Sequence, residues 1–256
     1  MPKKTLIGIL AIAALGAASI AQTATATTVR AGNLTIEVDA NLSPTKLSKS
    51  APTPIALTVS GSIKSNDGSH PAALRTLSLQ FDRHGHIFTK GLPTCNPGKL
   101  QATLTSQAKK ACSKALIGTG RVSAEIALNE QAPFNASGPL LIFNGPPKGG
   151  KPVLVFHVHA NVPAPTTFVT SGVIGKGSGK YGTDTEIAIP TIVAGQGSLT
   201  SFDAKIPKKT WTYKNRKQSL LTASCPSGHL YAHGDFAFAD GTRISGNVVK
   251  SCTPKG

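Results

Sequence analysis

Short segments that alternate between apolar and polar residues recur along most of the chain, and turn residues separate them. Residues 34–38 and 55–63 alternate with period two, as half-buried β-strands do. Further segments of this kind follow as far as residue 249, about a dozen in all, and 26 Gly and 18 Pro interrupt them. The pattern is typical of an antiparallel sandwich or barrel. We expect a mostly β protein that folds as an antiparallel β-sandwich, in a single domain over residues 30–256.

One segment does not follow this alternation. Leu100, Leu104, Ala108 and Ala111 recur at helical spacing among good helix formers, and Gly118 and Gly120 follow. The spacing predicts one short helix near residues 99–113.

The sequence contains four cysteines: Cys95, Cys112, Cys225 and Cys252. An even number suits an oxidising compartment and allows three pairings. We expect two local disulfides, Cys95–Cys112 and Cys225–Cys252, because each pair is close in sequence. The alternative is a four-cysteine zinc site, which the lack of any Cys-x-x-Cys pair disfavours.

The N-terminus has the three parts of a secretory signal peptide. Lys3 and Lys4 precede an uncharged apolar run from Leu6 to Ile20, and small residues follow. The run is about 15 residues long, whereas a membrane-spanning helix needs about 20, which disfavours the alternative of a membrane anchor. We predict a signal peptide at 1–21, with cleavage as late as residue 26, no transmembrane span after its removal, and a secreted, extracellular or cell-surface protein.

The chain is strongly basic, with 27 Lys and Arg against 11 Asp and Glu. Without Lys3 and Lys4, 25 basic residues would remain against 11 acidic ones, a net charge of +14. Such a charge attracts polyanions. Nucleic-acid-binding proteins interleave arginines and aromatics with such clusters, and here both are scarce, so we expect no specific nucleic acid. The expected partner is an acidic envelope polymer or an anionic lipid surface; the alternative is a cationic surface that only keeps the protein in solution.

Two histidines form the most distinctive chemical motif, Phe156-His157-Val158-His159. Residues two apart on a strand face the same side, so His157 and His159 could bind one metal ion. These four residues resemble the copper-ligand strand of copper/zinc superoxide dismutases, but the other ligands of that family are absent. A third ligand would come from a distant histidine such as His229 or His233. The alternative is a pair of histidines without a metal.

No catalytic motif of a hydrolase is present: the chain lacks Gly-x-Ser-x-Gly, His-Glu-x-x-His and a Cys–His pattern. A Ser–His–Asp set assembled from distant positions stays open. We therefore expect a non-catalytic, exported binding or structural module with a cationic surface and no cofactor. The alternative is a copper- or zinc-binding protein centred on His157 and His159.

Several short motifs together resemble exported β-rich proteins of high-GC Gram-positive bacteria. They are Gly91-Leu92-Pro93-Thr94-Cys95, Ile117-Gly118-Thr119-Gly120 after Cys112, Phe143-Asn144-Gly145, Ser224-Cys225-Pro226 and Asp240-Gly241. The likeness covers most of the chain after the signal. It implies export and a β fold, and it implies no activity.

Overall fold

The computed structural model describes residues 26–256, so the predicted signal peptide lies outside the described residues. The protein is mostly β, as the alternating segments predict. The strands are β1 (Thr27–Ala31), β2 (Leu34–Ser43), β3 (Lys46–Ser48), β4 (Thr53–Pro54), β5 (Ala56–Ser65), β6 (Leu74–Asp82), β7 (Gly85–Ile87), β8 (Leu116–Ile126), β9 (Phe134–Lys148), β10 (Lys151–Ala160), β11 (Thr166–Val173), β12 (Gly175–Lys176), β13 (Tyr181–Ala188), β14 (Gly197–Ile206), β15 (Thr210–Tyr213), β16 (Arg216–Ser219), β17 (Leu221–Ala223), β18 (His229–Phe238), β19 (Arg243–Ser251) and β20 (Thr253–Lys255).

Twelve strands form one antiparallel path in the order β1-β2-β5-β14-β8-β9-β10-β11-β13-β6-β18-β19, and β12 pairs with β13. The two outer strands of this path meet. Thr27 Oγ1 donates a hydrogen bond of 3.0 Å to the carbonyl of Asn247, and Val29 packs against Gly246. The path therefore curls into a nearly closed barrel, and the predicted two-sheet sandwich is corrected. Every strand of the path except the two outer ones pairs with a neighbour on each side, and the outer two meet through these contacts, so the sheet curls on itself instead of stacking on a second sheet.

Because neighbouring strands are antiparallel, their connections alternate between the two ends of the barrel. The segments 44–55, 83–115, 148–151, 174–180, 207–228 and 252–256 connect strands at one end, which we name the cap end, and residues 97–112 of the second segment fold onto the outer face of β9 and β10. The connections 32–33, 66–73, 127–133, 161–165, 189–196 and 239–242 lie at the other, which we name the mouth end.

The cap end carries small sheets of its own. β17 pairs with β4 and with β7, and β20 pairs in parallel with β3. The disulfide Cys225–Cys252 ties β17 to the end of β19, beside buried Leu47 and Ile55. This cap covers one opening of the barrel.

The predicted helix is present as α1 (Thr105–Ala111), with 3₁₀ turns at Pro97–Lys99 and Ser113–Ala115. A third 3₁₀ turn is Val193–Gly195. The Cys95–Cys112 disulfide closes the α1 segment, which buries Leu100 and Ala108 against Phe143 and Val155 on the outer face of β9 and β10. Both predicted disulfides are confirmed. No helix within residues 26–256 has the length and apolar character needed to cross a bilayer.

Candidate functional site

The interior of the barrel contains a cavity of about 380 Å³. Eleven of the twelve strands of the path contribute to its lining. The polar side chains they contribute include Asp82, Tyr231, Lys250 and four threonines, but most are apolar. Among these are Ala40, Leu57, Leu79, Phe81, Val122, Leu140, Leu154, Phe156, Val158, Phe168, Ile187, Phe202, Ala204, Ala232 and Val248.

The strand register explains why these residues line the cavity. Leu154, Phe156 and Val158 of β10 alternate with residues that face outward, and across the ladder to β11 Phe156 faces Thr170 and Val158 faces Phe168. These residues of β10 and β11 are only half-buried although they point into the barrel. Apolar side chains inside a protein are normally close-packed, so their residual exposure marks an unfilled interior.

A packed cluster occupies the part of the interior that β2, β5, β6, β18 and β19 enclose near the mouth end. Its members are buried: Leu34, Ile36, Ile63, Leu74, Leu77, Phe236, Phe238 and Ile244. This core fills the part of the mouth end between these strands, and the cavity lies beyond it.

The charged residues beside the cavity are paired with other protein groups. Asp82 accepts hydrogen bonds from the backbone N–H groups of His84 (2.9 Å) and Tyr231 (3.1 Å). Lys250 donates to Asp39. Burial acts to raise the pKa of Asp39, but the hydrogen bonds from Lys250 and Asn41 outweigh it, and the pKa lies below its ordinary value. A charged ligand group would thus meet no free counter-ion in this part of the wall.

The cavity reaches the surface at the mouth end. Val162 and Pro163, in the connection between β10 and β11, line the cavity and are exposed, Val162 by 50%. Ile192 and Val193 line it from the connection after β13. At the cap end, by contrast, Ile87 and Leu221 cover it. Residues 160–175 and 187–202 contain no charged side chain, so the rim on this side of the mouth is uncharged and largely apolar.

The predicted metal ligands lie on the outer face of β10, away from the cavity. His157 is fully buried, and its Nε2 lies 3.0 Å from the carbonyl oxygen of Thr103. The Thr103 hydroxyl donates to the carbonyl of Leu100, so the imidazole N–H is the donor to Thr103. Burial lowers the pKa of His157, although the hydrogen bond to Thr103 acts in the opposite direction. His157 thus anchors the α1 segment to the barrel.

His159 shares this face, as its spacing from His157 predicts. Its Nδ1 lies 2.9 Å from Thr167 Oγ1, and its Nε2 lies 3.1 Å from Asn161 Oδ1. Within residues 26–256, no group of three or more His, Cys, Asp or Glu side chains is placed to hold a metal ion. His229 and His233 belong to β18, which β11, β13 and β6 separate from β10. The metal site stays a prediction.

The structure also brings together a serine, a histidine and a glutamate that no sequence pattern connects. Ser198 Oγ lies 3.0 Å from His70 Nε2, and His70 Nδ1 lies 2.8 Å from Glu125 Oε1. The same chain of contacts, from serine to histidine to carboxylate, occurs in the catalytic triad of hydrolases. Ser198 is buried, however, and its only hydroxyl proton is donated to the carbonyl of Pro71 at 2.5 Å. The set therefore fastens the connection 66–73 to β8 and β14.

Comparisons with protein-family models, curated proteins and solved structures found no match. The cavity is therefore interpreted from its own geometry. Sequence reasoning missed it because an apolar residue that faces a cavity has the same alternating pattern as one that faces a packed core.

Proposed function

We propose that this protein is an exported, non-catalytic binding protein for an elongated apolar molecule, held inside the barrel. The single observation that carries the proposal is the apolar cavity of about 380 Å³. Pockets for small molecules fall within about 300–1,000 Å³ and are lined mainly by hydrophobic and aromatic side chains. Two disulfides support a site of action outside the cytoplasm.

The chemistry of the wall restricts the occupant. Water in a protein cavity needs two to four polar partners, and this wall offers few. A hydrocarbon chain needs none and gains free energy for each methylene removed from water, about 0.8 kcal/mol. The preferred occupant is therefore a molecule with an unbranched or isoprenoid hydrocarbon chain.

The shape of the cavity indicates how such a molecule would lie. The lining extends from Val162 at the mouth to Leu221 beneath the cap. The charged groups beside the cavity, Asp82 and Lys250, are already paired. A polar headgroup would therefore remain at the mouth, in contact with water, while the chain occupies the barrel.

The test is a titration with a fluorescent long-chain fatty acid, using variants that fill the cavity. Ala204→Phe and Val158→Phe add volume from β14 and β10, and Ala188→Phe, at an exposed position of β13, is the matched control. We expect each filling variant to weaken binding at least about tenfold, the effect of losing about 1.4 kcal/mol. Failure of the unmodified protein to bind, or equal affinity in all four proteins, would overturn the proposal.

A further inference from the structure

Basic residues are concentrated at one end of the barrel. The six cap-end segments contain 18 of the 27 Lys and Arg residues and no Asp or Glu. They are Lys46, Lys49, Arg83, Lys90, Lys99, Lys109, Lys110, Lys114, Lys148, Lys151, Lys176, Lys180, Lys208, Lys209, Lys214, Arg216, Lys217 and Lys255. Of these, Lys99, Lys109 and Lys110 belong to the α1 segment on the outer face of β9 and β10, and the other 15 belong to the cap itself.

The mouth end has the opposite character. Its six connections contain no Lys or Arg, and they carry three carboxylates, Asp67, Glu130 and Asp240. Most strands between the two ends have 8 to 11 residues, a length of about 26–36 Å. The protein is therefore electrically polarised along the barrel axis.

Direct contacts join the cap-end segments. The backbone N–H of Arg83 donates to the carbonyl of Lys180 (3.0 Å), and the indole N–H of Trp211 donates to that of Lys90 (3.0 Å). Lys209 Nζ reaches the carbonyl of Leu116 at 2.8 Å. This hydrogen bond fastens the cap to β8, and burial lowers the pKa of Lys209. The other basic residues of the cap thus belong to segments that contact one another.

Protein carboxylates do not neutralise this charge. The lysine ion pairs within residues 26–256 are Lys64–Glu37 and Lys250–Asp39, and neither lies in a cap-end segment. Lys208, Arg216 and Lys217 are exposed. Like charges held together repel one another, and a mobile polyanion would relieve that repulsion.

The β15–β16 hairpin gives part of this surface a fixed shape. Phe88 stacks on Trp211 with ring centroids 6.0 Å apart, and Tyr213 meets Phe88 edge to face at 5.9 Å. Arg216 and Lys217 follow on the second strand of the hairpin, so the aromatic cluster holds them in place beside Lys90.

We infer that the cap end binds a flexible polymer with closely spaced carboxylate or phosphate groups, while the mouth at the other end stays accessible. The cations extend over several separate loops, which suits a long chain. Three large apolar residues are exposed within the described residues 26–256, and of these only Leu104 belongs to a cap-end segment, so the cap offers little that would insert into a lipid surface. This inference goes beyond the proposed apolar ligand and does not depend on it.

The experiment measures binding of the full chain without its signal peptide to polygalacturonate and to inorganic polyphosphate, at about 50 and about 500 mM salt. The test variant is K208Q/R216Q/K217Q. The control R30Q/K64Q/R243Q removes the same charge from the barrel strands. We expect at least about tenfold weaker binding for the test variant, less than about threefold for the control, and strong weakening at high salt.

Four outcomes would overturn the inference: no binding at low salt, equal losses in both variants, binding to anionic vesicles without binding to either polymer, or clearly tighter binding to single-stranded DNA. The fluorescent fatty acid provides the separate readout. Its affinity should be unchanged by saturating polymer and in K208Q/R216Q/K217Q. A protein that binds polymer but no fatty acid would contradict only the proposed apolar ligand.

Discussion

Gly172 of β11 faces Ile187 of β13, and within the described part of the chain this is the single pair that joins the two strands in the sheet. On its other side β11 pairs with β10 through eight residues. Thr170 Oγ1 adds a hydrogen bond of 2.8 Å to the carbonyl of Ala188. The barrel wall is therefore weakest next to the mouth, where Val162 and Ile192 line the cavity.

This weak seam predicts uneven hydrogen exchange. Amides of β11 that point toward β13 should exchange faster than those bonded to β10, because most of them have no strand partner. A bound fatty acid should slow exchange at the seam by filling the space behind it. NMR-detected exchange would measure both effects. Uniform protection along β11, unchanged by ligand, would contradict this description of the wall.

A negative charge at the mouth should slow the entry of a fatty acid and weaken its binding. Val162→Asp places a carboxylate in the path of the hydrocarbon chain, whose passage then requires partial desolvation of that charge. We expect slower association of the fatty acid in stopped-flow measurements and a weaker Kd, because the new carboxylate also repels the carboxylate that the bound fatty acid would hold near Val162. Val249→Asp, at another exposed apolar position, is the control. Unchanged rates in Val162→Asp would place the route of uptake elsewhere.

His157 predicts a pH dependence of stability. Burial lowers its folded-state pKa below the ordinary value of 6.5, so below pH 6.5 the unfolded chain binds more protons than the folded one. Its stabilising contribution is therefore complete above pH 6.5 and is lost as the pH falls. His157→Gln should lower the free energy of unfolding at pH 7.5 by about 1–3 kcal/mol.

Urea denaturation at pH 7.5 and 5.5 measures this effect. The difference between His157→Gln and the unmodified protein should shrink at pH 5.5, whereas His86→Gln, at an exposed position, should show little change at either pH. A difference of the same size at both pH values would show that the titration of His157 is not linked to folding.

The two disulfides should have separable effects. Each closes a loop of moderate length, so replacing either pair with serine should cost about 3 kcal/mol. Only C225S/C252S should also weaken fatty-acid binding, because this disulfide holds the cap over the cavity, whereas Cys95–Cys112 holds α1 on the outer face. Equal affinities for the fatty acid in both double variants would show that the cap does not contribute to binding.

The sequence allowed prediction of the strands, the helix and both disulfides because these depend on local patterns. It did not distinguish a sandwich from a barrel, since Leu154, Phe156 and Val158 alternate in the same way in either. The interpretation of His157 and His159 as residues on one face was correct. The partner of His157 was not predictable, because Thr103 lies 54 residues away.

The concentration of basic residues at one end of the barrel was likewise not predictable from the sequence. Lys46, Lys90 and Lys217 are far apart in the sequence, and the basic residues are scattered along it. The antiparallel path brings every second connection to the same end of the barrel, and that arrangement collects them. Ser198, His70 and Glu125 likewise meet only through tertiary structure.

The most direct test of the central claim is the position of a bound hydrocarbon chain. Uniformly ¹³C-labelled palmitate, mixed with the protein, should give intermolecular NOEs from its chain to the inward side chains of Phe156, Leu79 and Phe202. Its carboxyl end should lie near Val162. NOEs confined to outward-facing residues such as Val249, or no NOEs at saturating palmitate, would contradict a binding site inside the barrel.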